Sequence, residues 1–362
     1  MPGVPEAPRI ELALTTNPGL EDVVAAELRD HLISAGHDPA VLNCPPSGIA
    51  GRVRADMALS IEAARAVATR LRSVHHVLRH VDSFRLPPTG ALEVVRRRIA
   101  ALAWPELDVS TPFRVSSTRS GEHEFTSQEL QAAAGAAVQA GTGAPVDLEH
   151  YRVHVAVDAI GSHCSVGIRW TERPLGLRHE RTFSQRVALK SPIAYAMLRL
   201  GCAGMVAPER ILDPFCGSGT ILLEAAQIFP GAALAGSDLR PACVEGTRAN
   251  LALQGNEKRA ELRTGDVRAI VEHHEPGSFD LIVTNPPYGK RLGRKIHFVR
   301  FYQDILATAA ALLRPGGRLV LLAGKRGAFH VAVQRSDGWR RVHSRDIEMS
   351  RIHVALVVVE RR

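Results

Sequence analysis

Two glycines in Asp213-Pro-Phe-Cys-Gly-Ser-Gly-Thr220 constrain this chain more than any other feature. Apolar residues lead into Asp213 as a strand, and Ile221-Leu-Leu-Glu-Ala-Ala226 continues from Thr220 as a helix, so a stripped loop joins the two. Gly217 and Gly219 let the backbone come close to a ligand, and the unpaired N–H groups of the helix start favour a carboxylate or phosphate. The dinucleotide fingerprint wants a third glycine where Leu222 stands, and a phosphate-binding NTPase loop wants Gly-Lys-Ser/Thr. Neither pattern is met.

Downstream, Phe279 to Thr284 reads as a buried strand with Asn285-Pro286-Pro287-Tyr288 at its carboxyl end. Two prolines there fix the backbone where open α/β sheets bind ligands, although Pro-Pro alone reads more readily as a turn that ends a strand. The two motifs together resemble those of S-adenosylmethionine-dependent methyltransferases that act on exocyclic amines of nucleobases. From Arg210 onward the pattern predicts strands at 210–213, 233–237, 260–264, 279–284 and 318–323, alternating with helices from Thr220, from Pro241, after Thr264 and near 298–313. A further helix and two strands at 339–347 and 352–360 follow. Such alternation implies an α/β, Rossmann-like fold, a mostly parallel sheet covered on both faces with an antiparallel hairpin at one edge.

The resemblance gives these residues their expected roles. Asp213, Pro214, Phe215, Cys216, Gly217, Ser218, Gly219 and Thr220 form the loop under the cofactor, completed by Asp238, Leu239, Asp266 and Val267. Asp238, 19 residues after Gly219, is placed to accept from both ribose hydroxyls; Asp266 suits the adenine amino group, and Asp213 the donor's ammonium or a water. Each alone also reads as an ordinary loop or helix-cap aspartate. Asn285, Pro286, Pro287 and Tyr288 form the catalytic set. A nucleobase amine is a poor nucleophile because its lone pair is conjugated into the ring. With its hydrogens accepted by Asn285 Oδ1 and the Pro286 carbonyl, the nitrogen can pyramidalise toward the methyl, while Tyr288 offers a flat surface for the base. No metal is required. Methylation at pyrimidine carbon 5 would need a cysteine in the catalytic loop; Cys216 lies in the cofactor loop and reads as filler. Just after the motif, residues 290–300 hold Lys290, Arg291, Arg294, Lys295 and Arg300 with no acidic residue, a run suited to phosphates around an extruded base.

The N-terminal half reads as small mixed α and β modules. A strand at 10–15, the turn Asn17-Pro18-Gly19 and a helix over 20–32 begin it, followed by a second helix from Ile61 to about Arg79. Pro87-Pro88 mark a boundary. Beyond it come a helix over 92–103, a strand at 113–117, a helix over 127–139 and strands at 151–158 and 163–170. His76 and His80, four apart on the expected second helix, have the spacing of two zinc ligands, but no third ligand is evident and Arg72 and Arg79 beside them favour an exposed basic face. Thr15-Thr-Asn-Pro-Gly-Leu-Glu-Asp22, Pro112-Phe-Arg-Val-Ser116 with Arg119 soon after, and Leu177-Arg-His-Glu-Arg-Thr-Phe183 are similar to the THUMP-containing RNA methyltransferases. The resemblance implies a ferredoxin-like domain over 1–85, an RNA-binding THUMP domain over 86–170, a linker over 171–185 and the catalytic domain over 186–362. Arg96, Arg97, Arg98 and Arg119 are then the RNA contacts of the N-terminal half, or else a solvated face. The run Asn285-Pro-Pro-Tyr-Gly-Lys-Arg-Leu-Gly293 is closest to enzymes that methylate the guanine N2 amine in tRNA, including position six of the acceptor stem.

At 362 residues and 45% hydrophobic content the chain can bury a core in each of two or three domains. The net charge of +8 and a pI near 9.6 suit a polyanionic partner, expected to be structured RNA, above all tRNA. The surplus is uneven: residues 1–185 carry 19 Lys/Arg against 21 Asp/Glu, the rest 26 against 16. Five scattered cysteines without a C-x-x-C pair, no signal peptide and no spanning apolar run point to a reducing cytoplasm, without membrane or metal. Ribosomal RNA guanine-N2 methylation uses the same site, DNA adenine methylation shares Asn-Pro-Pro-Tyr but lacks a visible recognition module here, and an RNA-binding or folding factor with a vestigial catalytic domain is the rival of another class.

Overall fold

The computed structural model describes residues 9–44, 47–289, 297–349 and 352–362. It divides into two units, Met1–Thr16 with Val24–Leu175, and Asn17–Val23 with Gly176–Arg362.

In the first unit β1 (Ile10–Thr15), β2 (Leu42–Asn43), β3 (Arg52–Met57), β4 (His76–Arg85), β5 (Phe113–Ser120), β6 (Val153–Ile160) and β7 (His163–Arg169) form a single sheet in the order β2-β3-β1-β4-β7-β6-β5. The helices are α1 (Glu21–Ser34), α2 (Ile61–Ala68), α3 (Ala91–Ala100) and α4 (Ser127–Thr142). Strand periodicity sends Leu12, Leu14, Val53 and Ala55 to one face, against Leu28 of α1 and Val67 of α2. The same face continues through Val155, Val157, Val166 and Ile168, packed on Val95 and Ile99 of α3 and Leu130 of α4. Thr126 and Glu129 close a reciprocal capping box at the start of α4, and Gly143, at φ +71°, ends it.

The long helix expected from Ile61 to Arg79 is corrected. It stops at Ala68, where the Thr69 hydroxyl donates back to the Arg65 carbonyl, and the chain turns and re-enters as β4. Glu27, buried on α1, holds that turn by accepting from the Arg72 and Ser73 amides at 2.7 and 2.9 Å. Burial pushes its carboxyl up, but hydrogen bonds from His31, Ser73 and Arg72 outweigh this and hold it below the usual range. His76 and His80 therefore stand on a strand, not on a helix face. Among the described residues there is no group of side chains able to hold a metal ion.

The second unit is a sheet in the order β10-β9-β8-β11-β12-β14-β13. Its strands are β8 (Arg210–Asp213), β9 (Ala233–Asp238), β10 (Ala260–Thr264), β11 (Phe279–Thr284), β12 (Leu313–Ala323), β13 (Trp339–Met349) and β14 (Ile352–Arg361). Pairing is parallel from β10 through β12, and β14 and β13 run antiparallel at the edge. On one face lie α5 (Ser191–Gly201), α6 (Thr220–Ile228) and α7 (Pro241–Ala252), packed on Ile211, Leu281 and Val283. On the other, α8 (Phe298–Leu312) and α9 (Arg326–Gln334) cover Leu212, Ile282 and Leu321. Helix α5 was not foreseen. Ser191 to Leu198 are all buried, so it lacks the polar stripe that marks an amphipathic helix.

Candidate active site

The loop at the carboxyl end of β8 takes its shape from its two glycines. Gly217 and Gly219 sit at φ +57° and +80°, and a Cβ on Gly219 would lie 2.9 Å from Thr247 Cγ2. The Gly219 amide donates to the Cys216 carbonyl at 2.7 Å, Cys216 N to the Ser237 carbonyl at 2.8 Å, and Thr247 Oγ1 to the Gly217 carbonyl at 3.1 Å. Gly219 is the N-cap of α6 and supplies no side chain to its first N–H groups. Cys216 is buried, which pushes its thiol well above the ordinary value and removes it as a nucleophile at neutral pH.

Asp213 ends β8 and Asp238 ends β9; Asp266 follows β10 by two residues, so the three carboxylates line the carboxyl ends of adjacent strands. Asp238 accepts from Gly217 N at 3.1 Å and Arg240 N at 3.0 Å, and the Arg240 Nε lies 3.6 Å from its Oδ1. Asp266 is more engaged. Arg268 donates to it through its amide, Nε and a terminal nitrogen at 2.9–3.0 Å, and these bonds hold the carboxyl below the usual range. Beside it, a Cβ on Gly265 would meet nothing within 4 Å. Asp213 is only 2% exposed. Burial pushes its carboxyl up to about 7 against the hydrogen bonds from Thr284 and Phe215, and the Asp238 charge pushes the same way.

Thr284 links the two motifs. Its hydroxyl donates to Asp213 Oδ1 at 2.8 Å, so the residue just before Asn285 is anchored to the first residue of the loop, 71 positions earlier. Pro286 is buried, Pro287 exposed, and Asn285 and Tyr288 half-buried. The Tyr288 hydroxyl donates to Asn285 Oδ1 and reaches Met349 Sδ at 4.0 Å. Burial raises this phenol above its ordinary value, so it stays a neutral donor. The ring packs on the backbone of Gly324, where a Cβ would come within 2.5 Å of Tyr288 Cδ1. Lys290, Arg291, Arg294 and Lys295 lie outside the described residues; Arg300, on α8, is paired with Asp304 at 3.2 Å. In the first unit Arg96 is paired with Glu93 and Arg98 with Asp82, while Arg97 and Arg119 are exposed.

Several supporting residues were invisible in the sequence. Asn250 of α7 satisfies all its polar atoms: Oδ1 accepts from Thr182 N and Phe183 N, and Nδ2 donates to the carbonyls of Phe183 and Ser218. It ties residues 182–183 to the loop. Gln185 donates to Cys243 Sγ at 2.9 Å, and its amide group lies 3.4 Å from where a Gly217 Cβ would stand. Glu224, fully buried on α6, accepts from Arg178 at 2.6 Å and is 2.7 Å from His179 Nε2. A lone Asn, Gln or Glu on a helix carries no local signal of such a partner.

S-adenosylmethionine fits these residues. Positive-φ glycines clear the loop, open space adjoins Asp266, and carboxylates capable of accepting from ribose, amine and ammonium groups stand at three neighbouring strand ends. No helix of the described residues is long and apolar enough to cross a membrane.

Comparison with known proteins agrees with this geometry. Residues 178–355 match the RMKL-like methyltransferase domain, and residues 91–169 the THUMP domain. A tRNA (guanine(6)-N2)-methyltransferase of Thermus thermophilus is 36% identical over 359 residues, 97% of this chain and 99% of that protein. An enzyme of the same name from Archaeoglobus fulgidus is 29% identical over 68% of this chain and 69% of its own length. The crystal structure of TrmN from Thermus thermophilus superposes with a TM-score of 0.78 at 33% identity, covering 98% of this chain and all of that one. With a relative this similar along nearly its whole length, and with a glycine loop joined through Thr284 to Asn-Pro-Pro-Tyr, the chain belongs to the THUMP-domain-containing, RMKL-like RNA methyltransferases.

Proposed function

We propose that this protein transfers a methyl group from S-adenosylmethionine to the exocyclic N2 amine of a guanosine in tRNA, at position six of the acceptor stem, in the cytoplasm. The observation that carries this is the Thr284–Asp213 hydrogen bond, which makes the glycine loop and Asn285-Pro-Pro-Tyr288 one site. The names of the full-length Thermus relative and its Archaeoglobus counterpart supply the base, the atom and the RNA. We assign residues 1–85 to a ferredoxin-like domain, 86–170 to the THUMP domain, 171–185 to a linker and 186–362 to catalysis.

When bound, the donor supplies a methyl on a positively charged sulfur, an electrophile that needs no metal or covalent enzyme intermediate. The chain's work is to bind and aim. Asp238 accepts from the ribose hydroxyls, Asp266 from the adenine amine through the lone pair that Arg268 leaves, and Asp213 holds the ammonium. Residues 214–220, Leu239 and Val267 wall the cofactor in. Asn285 Oδ1 has two lone pairs: the Tyr288 hydroxyl takes one and fixes the rotamer, and the other accepts from the guanine amine beside the Pro286 carbonyl. The amine then aims its lone pair along the transfer axis. Pro287 stiffens the turn, the Tyr288 ring stacks the base, and the cations at 290, 291, 294 and 295 meet phosphates.

Two outcomes follow here. Gly324→Ala forces the Tyr288 ring aside and releases Asn285, so turnover is expected to fall about 10- to 100-fold with unchanged donor affinity; single-turnover rates and calorimetry check it. Donor affinity is expected to be level above pH 7 and to weaken by up to about tenfold per pH unit below it, because protonating Asp213 removes the charge that holds the ammonium. A donor affinity constant from pH 8 to 5.5 would remove Asp213 from that role. The function as a whole is tested by mapping modified nucleosides in total tRNA and rRNA from a strain lacking this protein. Loss of N2-methylguanosine from a tRNA acceptor stem is expected; loss confined to rRNA, or no loss, contradicts it.

A further inference from the structure

The slightly acidic balance of the N-terminal half hides a sorting of charge between the two faces of its sheet. Most apolar strand residues go to the helix-covered face, so alternate positions, mostly polar, fall on the other. There Arg114 of β5 stands opposite His154 of β6, Arg169 of β7 stands opposite Leu78 of β4, and His76 of β4 and Arg52 of β3 flank Thr15 of β1. With strands about 4.8 Å apart, this row crosses the sheet over about 24 Å. The carboxylates on the same face are largely occupied: Asp158 pairs with Arg52 at 2.9 Å, and Glu11 pairs with Arg54.

Arg114 and Arg169 have no ion pair among the described residues, and the buried Nε of each lacks a hydrogen-bond acceptor. Arg114 lies over the Tyr151 ring at 5.0 Å. Burial, then the Arg169 guanidinium beside both, pushes His76 and His154 down to about 4; Arg52 adds to this at His76, and Arg114 at His154. Burial also lowers Arg169 itself. Arg52 has its counter-ion in Asp158, so the row's unpaired charge is that of Arg114 and Arg169. A recess of about 120 Å³ opens on the same face among Arg52, Arg54, His80, Asp158 and His163.

We propose that this row, Arg114–His154–Arg169–His76–Arg52, is where the N-terminal unit grips the phosphate backbone of the RNA, an assignment that rests on RNA being the substrate as proposed above. Over about 24 Å a duplex displays on the order of ten phosphate charges. Planar guanidinium donors without a carboxylate partner match phosphate oxygens, whose charge offsets the cost of their partial desolvation. An acidic protein partner fits less well. Protein interfaces centre on a buried apolar patch with aromatic anchors, whereas this row sets arginines among histidines that burial keeps neutral, a polar and net-positive face of the kind nucleic-acid interfaces use. The helix arginines are poorer candidates, since Arg96 and Arg98 already hold carboxylates.

The test uses the full chain with an acceptor-stem RNA. Arg114→Glu with Arg169→Glu is expected to weaken RNA binding at least tenfold in fluorescence anisotropy. The slope of log affinity against log salt should become shallower by about 2, one unit per lost phosphate contact. Donor affinity and the rate at saturating RNA should stay at wild-type values. Should the reversal fail to fold, Arg114→Gln with Arg169→Gln removes the charges without adding new ones and should show the same change in slope. A wild type that binds and methylates RNA, with a double variant of unchanged affinity and salt slope, overturns the docking surface and leaves the methyltransferase function intact. A wild type that binds no RNA overturns both. A variant that keeps RNA binding but loses capture of an acidic protein assigns the face to protein, and also overturns the proposal.

Discussion

Asn285→Ala is expected to lower the rate of methyl transfer by about 10³-fold while donor affinity stays within twofold of wild type. The side-chain oxygen sits at the carboxyl end of β11, after a strand whose six residues are all buried and whose last, Thr284, is hydrogen-bonded to Asp213. Its position is set by the sheet, not by a loop. Removing one preorganised polar group that acts on the reacting atoms costs about 10²–10³ in rate, and here the Tyr288 hydroxyl also loses its acceptor and can turn away. Asn285 makes no hydrogen bond to the glycine loop, so the donor's site should survive. Single-turnover transfer and calorimetric donor binding on the same preparation separate the two. Equal losses in both would contradict the division of labour.

Asp238→Ala is expected to do the reverse, weakening donor binding by 10²-fold or more. Two charge-assisted hydrogen bonds to a ribose diol amount to about 3–6 kcal/mol. The residue also holds the loop, since its carboxylate receives the amides of Gly217 and Arg240. Donor dissociation constants by calorimetry check this. At saturating donor the variant should regain a rate within about tenfold of wild type, because Asn285 and the Pro286 carbonyl are untouched.

Much of the catalytic unit was legible because local chemistry and topology agree there. The expected strands at 210–213, 260–264 and 279–284 coincide with β8, β10 and β11, and both motifs sit at strand carboxyl ends. The buried helix α5 was missed for want of periodicity. In the N-terminal unit β3 alternates clearly, Arg52-Val-Arg-Ala-Asp-Met57, but it is short and lacks a β-branched run, and its partner β1 lies some forty residues earlier. The over-long second helix failed for another reason. What ends it is Glu27, more than forty residues away on α1, and no local pattern reports a tertiary cap.

At the site itself, the sequence identifies the residue types but not their states. That Asp213 is buried and poised near neutrality, that Arg268 engages most of Asp266, and that Tyr288 is bonded to Asn285 Oδ1 all depend on packing. The paired helix arginines and the uncompensated sheet arginines look alike as letters. Strand register and helix faces separate them.

The most direct check of the site is transfer of labelled methyl from S-adenosylmethionine to two acceptor-stem RNAs that differ only at position six, one with guanosine and one with inosine, which lacks the N2 amine. Label on the guanosine RNA, recovered as N2-methylguanosine, and none on the inosine RNA is the predicted result. Equal labelling of both would contradict an amine held between the Asn285 side chain and the Pro286 carbonyl.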